Sequence, residues 1–249
     1  MPTTPAERCA RYQRANEARA APARQCRTCP VRGASLCAAL EDRELALLHA
    51  GRSRHIIPAG DRLDNYCDVR ANIVSGAFKL SIRADDGREQ IVDLLFAGDF
   101  LGAPCPREQD VTAIALAETE ICSFSQLPFT DALDAFPAMR RMLLERTIGA
   151  FERARGRLHM LAHASARERV AGFILDFASR ADGKPVRIPL RRREVANFLG
   201  LTVETVSRQF GRLRAEGAIT LVNARECTVP DRARLTAIAG TFPVIDPDQ

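Results

Sequence analysis

The sequence predicts an α+β chain in two parts: a small antiparallel β-roll, then a long helix leading into a C-terminal winged helix-turn-helix. Three observations predict it. Residues 53 to 125 alternate short apolar runs with Gly and Asp punctuation; no proline falls between Pro137 and Pro185; and a helix pair joined by Gly200-Leu201-Thr202 precedes Gly217. Regularly spaced short strands suit a barrel or jelly roll, an uninterrupted periodic stretch suits a long helix, and a tight turn between helices suits the third part.

Residues 1 to 25 are Ala/Arg-rich without an apolar period, so disorder or a short frayed helix is expected there. Leu45, Leu47 and Leu48 mark a short amphipathic helix between Asp42 and Gly51. Ile56-Ile57-Pro58-Ala59-Gly60-Asp61 ends in a turn, and Phe96-Ala97-Gly98-Asp99 repeats that ending. Between them, Ile73 to Ile82 reads as two strands around Gly76, and Asp86-Gly87 forms a hairpin turn before the strand Gln90–Leu95. Pro137 fits the first turn of a helix in which Leu144, Ile148, Phe151, Leu158 and Leu161 recur as an a/d seam, with Arg146, Arg153, Arg155 and Arg157 on the exposed positions. Such a seam joins two copies into a symmetric dimer or packs on its own roll. Val170, Phe173, Ile174 and Phe177 form the inner face of a further helix, and Ile188-Pro189-Leu190 reads as a short strand.

Charge is uneven. The net charge is +5, yet Lys184 to Arg234 carries 11 basic residues against five acids, which leaves the remainder near neutral and points to a polyanion at the basic end. No apolar run reaches the length of a bilayer, and the N-terminus lacks a signal-peptide core, so a cytoplasmic protein without membrane contact is expected. Eight cysteines in an unexported chain point to metal or redox chemistry rather than a disulfide framework.

The second helix of the pair, Val203 to Glu216, is capped by Thr202 and places Val203, Val206, Phe210 and Leu213 on one apolar face. Its other face presents Glu204, Ser207, Arg208, Gly211 and Arg212. In a helix-turn-helix that face enters the major groove of double-stranded DNA. Arg208 suits O6 and N7 of guanine, Glu204 the cytosine amino group, and Ser207 either role, while Arg191 to Arg193, Arg212 and Arg214 suit phosphates. Ile219–Val222 and Glu226–Val229 read as a two-stranded wing.

These features together resemble the cyclic-AMP receptor/fumarate–nitrate regulator superfamily over almost the whole chain. Leu201-Thr202-Val203-Glu204-Thr205-Val206-Ser207-Arg208 is similar to its fumarate–nitrate regulator branch, whose Glu-x-x-Ser-Arg signature reads TTGAT half-sites in an inverted repeat. The resemblance implies a cyclic-nucleotide-binding-like β-roll, a long dimerisation helix and a winged helix-turn-helix. Its parts fall at 1–40 (Cys-rich cluster-binding segment), 41–135 (β-roll), 136–162 (dimerisation helix), 163–235 (DNA-binding domain) and 236–249 (tail). It implies a homodimeric transcription regulator of anaerobic or microaerobic genes that also meets RNA polymerase. Leu144, Ile148, Phe151, Ala154, Leu158 and Leu161 would form the dimer interface. Ala154 stands where the oxygen-responsive branch carries an acidic residue, which implies an apo dimer spared that like-charge repulsion.

The same branch holds an oxygen-labile [4Fe–4S] cluster on three N-terminal cysteines and one from the roll. Cys26, Cys29 and Cys37, spaced C-x2-C-x7-C, would be the three, and thiolates two residues apart can reach one cluster. Cys122 occupies the family position for the fourth ligand, and Cys105, between Pro104 and Pro106, competes with it. Cys9, Cys67 and Cys227 read as plain small side chains. A structural zinc site is the alternative for the triplet, although no His lies between Cys26 and Cys37. Cyclic nucleotide binding is not expected, because Gly102-Ala103 and Asp110-Val111-Thr112 stand where relatives hold a phosphate. With four His and no phosphate-cradling Gly loop, an enzyme is not expected. A nitric-oxide or thiol sensor on the same scaffold, or an iron–sulfur electron-transfer protein, are the competing functions.

Overall fold

In the computed structural model, which describes residues 24–49, 51–63, 69–83, 87–102, 111–181 and 184–240, one helical turn (Arg24–Arg27) and two 3-10 turns (Arg32–Ala34 and Leu36–Ala39) lead into helix α1 (Asp42–His49). Strands follow as β1 (Arg52–Ile57), β2 (Arg62–Leu63), β3 (Ala71–Ser75), β4 (Ala77–Arg83), β5 (Glu89–Phe96), β6 (Phe100–Leu101), β7 (Val111–Ala115) and β8 (Thr119–Phe124). They pair into two four-stranded sheets ordered β1-β8-β3-β6 and β2-β7-β4-β5. The ends of both Gly-Asp turns close by backbone bonds, from Asp61 N to the Pro58 carbonyl and from Asp99 N to the Phe96 carbonyl. The Leu47 side chain, Asp86 and the N-terminal residues 1–23 lie outside the described residues.

Helix α2 (Gln126–Ala135) comes next and was not foreseen. Pro128 sits in its first turn, where a missing N–H costs nothing, and Phe129 and Ala132 face inward. Helix α3 (Pro137–His163) runs 27 residues without a break. Among the described residues the chain divides into two compact units, one of residues 1–89 and 93–147, the other of residues 90–92 and 148–249. No helix among those described is long and apolar enough to cross a membrane.

The second unit contains α4 (Ala166–Ser179), β9 (Val186–Arg187), α5 (Arg192–Leu199), α6 (Val203–Ala215), β10 (Thr220–Asn223), β11 (Glu226–Thr228) and α7 (Arg232–Ala239). Ser165 and Glu168 form a capping box at the start of α4: the Ser165 hydroxyl accepts from Glu168 N, and the Glu168 carboxylate accepts from Ser165 N. Ile174, Leu175, Ile188, Leu190, Leu199 and Leu213 are fully buried at its centre. Three expectations are corrected here. The strand lies at Val186–Arg187 rather than Ile188–Leu190, because Pro189 has no N–H to pair and Ile188 and Leu190 turn into the core. The wing is three-stranded, ordered β10-β11-β9. The boundary at residue 235 cuts α7, whose Leu235 and Ala239 are buried and whose N-terminus is capped by the Asp231 carboxylate accepting from Arg234 N at 2.8 Å.

The turn between α5 and α6 depends on Gly200, which adopts a left-handed conformation (φ 62°, ψ 41°) so that Leu201 N can reach the Ala196 carbonyl at 2.9 Å. Replacing Gly200 by Ala is therefore expected to destabilise the second unit by about 1–2 kcal/mol. A urea midpoint equal to that of the wild type would refute the assigned role of this turn.

Candidate functional site

Strand pairing builds the first candidate site. β8 lies between β1 and β3, with Cys122 opposite Arg54 on one side and Asn72 on the other. Because side chains alternate across a strand, Arg52, Arg54, Asn72, Val74, Cys122 and Phe124 all share one face of this sheet. Ala71, Ile73 and Ile121 share the opposite face.

The N-terminal segment covers the first face. Val31, Leu36, Leu40, Leu45 and Leu48 are buried in one cluster with Val74, Cys122, Phe124, Phe129, Ala132 and Met139. Between the two 3-10 turns the Ser35 hydroxyl accepts from Cys37 N at 3.3 Å, which fixes the chain direction at Cys37. Arg32 is held by Asp42 at 2.6 Å.

The result is one pocket, partly open to solvent, lined by Cys26, Cys29, Cys37 and Cys122 together with Arg32, Arg52, Arg54 and Asn72. Cys105, the other candidate for the fourth thiol, lies outside the described residues, as do Cys9 and Cys67.

Burial opposes a bare thiolate at two of the lining cysteines. Burial pushes the Cys37 thiol up to about 11, and the neighbouring cysteines add to the effect, against a hydrogen bond with Ser35. Burial also raises Cys122, opposed by Arg52. Burial thus disfavours the bare thiolate at Cys37 and at Cys122, a cost that a bound metal would offset. Among the described residues no three His, Cys, Asp or Glu side chains are gathered around the position of a single metal ion. Four thiols lining one pocket fit the donor set of an iron–sulfur cluster, which is usually held by four thiolates. Of the arginines on the lining, Arg32 and Arg54 are ion-paired with Asp42 and Glu120, while Arg52 acts on Cys122. Cys227, by contrast, is buried with its thiol raised to about 11, chiefly by desolvation, as suits an inert core side chain.

The second candidate site is α6. The Thr202 hydroxyl accepts from Thr205 N at 3.2 Å and so caps the helix. Glu204, Ser207, Arg208 and Arg212 are exposed on its outer face, and Arg208 donates to the Thr205 hydroxyl at 3.3 Å. Backbone N–H groups at the helix start, aided by Thr202, hold the Glu204 carboxyl below the ordinary range, so at neutral pH it only accepts hydrogen bonds. Val203 departs from expectation: at 37% exposed it is the first residue of the helix and lies clear of the apolar face, which Gln209 (5%) joins instead. Arg192 is also corrected, since it stacks over the Phe210 ring at 3.5 Å rather than standing free for phosphate; Arg191 and Arg193 are exposed.

Comparison with known proteins bears on both sites. Residues 54–136 match the cyclic nucleotide-binding domain, and residues 168–238 match the Crp-like helix-turn-helix domain. The chain is 33% identical over 234 residues to the transcriptional activator protein FnrL of Cereibacter sphaeroides, a match covering 87% of this chain and 92% of FnrL. It is 32% identical over 223 residues to the nitrogen fixation regulation protein FixK of Bradyrhizobium diazoefficiens, covering 86% and 93%. The chain belongs to the CRP/FNR family. The structure of FixK2 from Bradyrhizobium japonicum agrees, with a TM-score of 0.69 and 25% identity over 76% of this chain and 98% of that one.

As a CRP/FNR protein the chain is a DNA-binding transcription regulator. The positions that bear on a nucleotide phosphate, Ala103 and Asp110, lie outside the described residues. On α3 of this CRP/FNR regulator, Leu144, Ile148, Phe151 and Leu158 are between 52% and 69% exposed, and Ala154 between them is exposed too. Leu161 is half-buried, because the helix end meets the turn before α6: a Cβ on Gly200 would lie 3.2 Å from its Cδ2. Two of the arginines expected on the outside of α3 are occupied. Arg157 lies over the Phe198 ring at 4.5 Å, and Arg146 donates to the carbonyls of Gly98, at 3.1 Å, and of Ala34. Sequence patterning could not find Arg146 or Asn72, since nothing local marks an arginine or asparagine that meets residues tens of positions away.

Proposed function

We propose that this regulator holds a [4Fe–4S] cluster on Cys26, Cys29, Cys37 and Cys122, responds through it to oxygen, and binds TTGAT-type inverted repeats as a homodimer. The observation that carries this reading is that three N-terminal thiols and one from the middle of a sheet line a single cavity. When bound, the cluster supplies an oxygen-labile crosslink between the N-terminal segment and the roll. The chain's own residues do the rest. The segment between Cys29 and Cys37 is tied to α3 through Arg146 and the Ala34 carbonyl, two residues from Leu144 at the start of the apolar seam. Order in that segment thus bears on the helix by which two copies would pair, and the dimer geometry shifts with differential contacts.

On DNA, Arg208 donates to guanine, ionised Glu204 accepts from the cytosine amino group, and Ser207 sits between them, with Thr202 and Arg212 beside the backbone. The names of FnrL and the Rhizobium leguminosarum relative, both described as activators, support activation of genes and hence contact with RNA polymerase.

Anaerobic purification is expected to give a coloured protein with about four irons and about four sulfides per chain, bleached by air. A colourless, zinc-loaded chain would overturn the cluster and leave the DNA-binding reading standing. Substituting Arg208 by Ala is expected to cost roughly 1–3 kcal/mol of binding to the repeat, with iron content unchanged; equal affinity for the repeat and a scrambled site in both proteins would count against base readout by α6. Because Ala154 adds no charge to the seam, the cluster-free chain is expected to sediment as a dimer at micromolar concentration, and a clean monomer would refute this.

A further inference from the structure

One buried polar side chain in the cavity is explained by neither folding nor the four thiols. Asn72 lies in β3, where Ala71, Ile73 and Val74 are buried beside it, and it is itself only 2% exposed. Asparagine is a poor strand former, and its Oδ1 is buried with no hydrogen-bond partner among the described residues. Its Nδ2 donates to Cys37 Sγ at 3.4 Å. Asn72 also stands directly opposite Cys122 in the β3–β8 ladder. One amide thus adjoins both the remote thiol from the sheet and the last of the three from the N-terminal segment. A deprotonated sulfur can only accept, so the amide meets it with N–H and leaves the oxygen turned away.

We propose that Asn72 is a positioning residue for the cluster, fixing the Cys37 sulfur and drawing electron density from it so as to raise the cluster's midpoint potential. The inference rests on the cluster reading above. An N–H···S bond stabilises the more electron-rich reduced state more than the oxidised one, and outer-shell donors of this kind tune iron–sulfur centres. Asn72→Leu keeps the volume and removes the donor. Asn72→Asp keeps the shape and turns a carboxylate toward the sulfur.

The test is anaerobic iron and sulfide assay followed by a potentiometric titration of wild type and both variants, with far-ultraviolet circular dichroism as the check on folding. Asn72→Leu is expected to hold wild-type iron with a lower midpoint potential, and Asn72→Asp to keep the fold but hold less than half the wild-type iron. Wild-type iron with an unshifted midpoint in Asn72→Leu would overturn the role of Asn72 and leave the cluster standing. If Asn72→Leu does not fold, Asn72→Asp decides: full iron and an unshifted midpoint overturn the proposal, and low iron on a native fold supports it. A wild type without iron and sulfide overturns the cluster itself, and this inference with it.

Discussion

The register of β8 between β1 and β3 is the constraint on which the rest of the first unit depends. It aligns Arg54, Cys122 and Asn72 as one row across three strands. Strand side chains alternate, so a slip of a single residue would send Cys122 to the opposite face with Ile73 and put Ile121 beneath the N-terminal segment. The register is held by what each face buries. Ile73 and Ile121 are buried on one side, and Val74 and Phe124 on the other. Arg54 adds a 2.7 Å ion pair to Glu120, two residues before Cys122 on the same face. Phe124 and Phe129 stack at 6.0 Å, which ties the end of β8 to α2 as the chain leaves the sheet.

The segment that brings the other three thiols has little structure of its own. One helical turn and two 3-10 turns cannot bury a core alone, and their order comes from Leu36 and Leu40 set against the sheet face. Two further ties act at single points. Arg146 reaches the Ala34 carbonyl from α3, and Gly98, at φ +94°, brings its turn so close that a Cβ there would sit 3.1 Å from Ala34 Cβ. Apolar packing thus positions the segment, while burial raises the Cys37 and Cys122 thiols. On the cluster reading, a bound metal centre would offset the cost of ionising them, and its binding would be linked to the order of the segment.

The helical parts were the most legible in the sequence, because their periods are local. The turn at Gly200, the cap at Thr202 and the outer face of Glu204, Ser207 and Arg208 could be placed from spacing alone. So could the exposed seam from Leu144 to Leu158. Residues at helix ends and those with distant partners were not. Val203 has the right spacing for the apolar face but is the first residue of α6, beyond the body that the face covers. Leu161 keeps the seam's spacing but is drawn toward Gly200. Helix α2 was missed because Pro128 reads as a breaker unless its place in a first turn is known. Spacing groups Cys26, Cys29 and Cys37, but that Cys122 lines the same pocket follows from strand pairing, which spacing does not carry; Cys105 lies outside the described residues.

The seam on α3 and the cavity differ in what each needs. Leu144, Ile148, Phe151 and Leu158 are large apolar side chains exposed on one chain, and a second copy related by two-fold symmetry would present the same stripe to them. Ala154 puts no charge into that stripe. If the cluster-free chain stays dimeric as proposed, a signal at the cavity would act on the geometry of the dimer rather than on its formation. Geometry is also what the DNA measures, since two recognition helices must meet major grooves one helical turn apart, roughly 34 Å. Arg146 lies where such a signal would pass, with its Cα in α3 beside Leu144 and its guanidinium on the Ala34 carbonyl between Cys29 and Cys37. A displacement of that carbonyl would reach α3 within two residues of Leu144, where the seam begins.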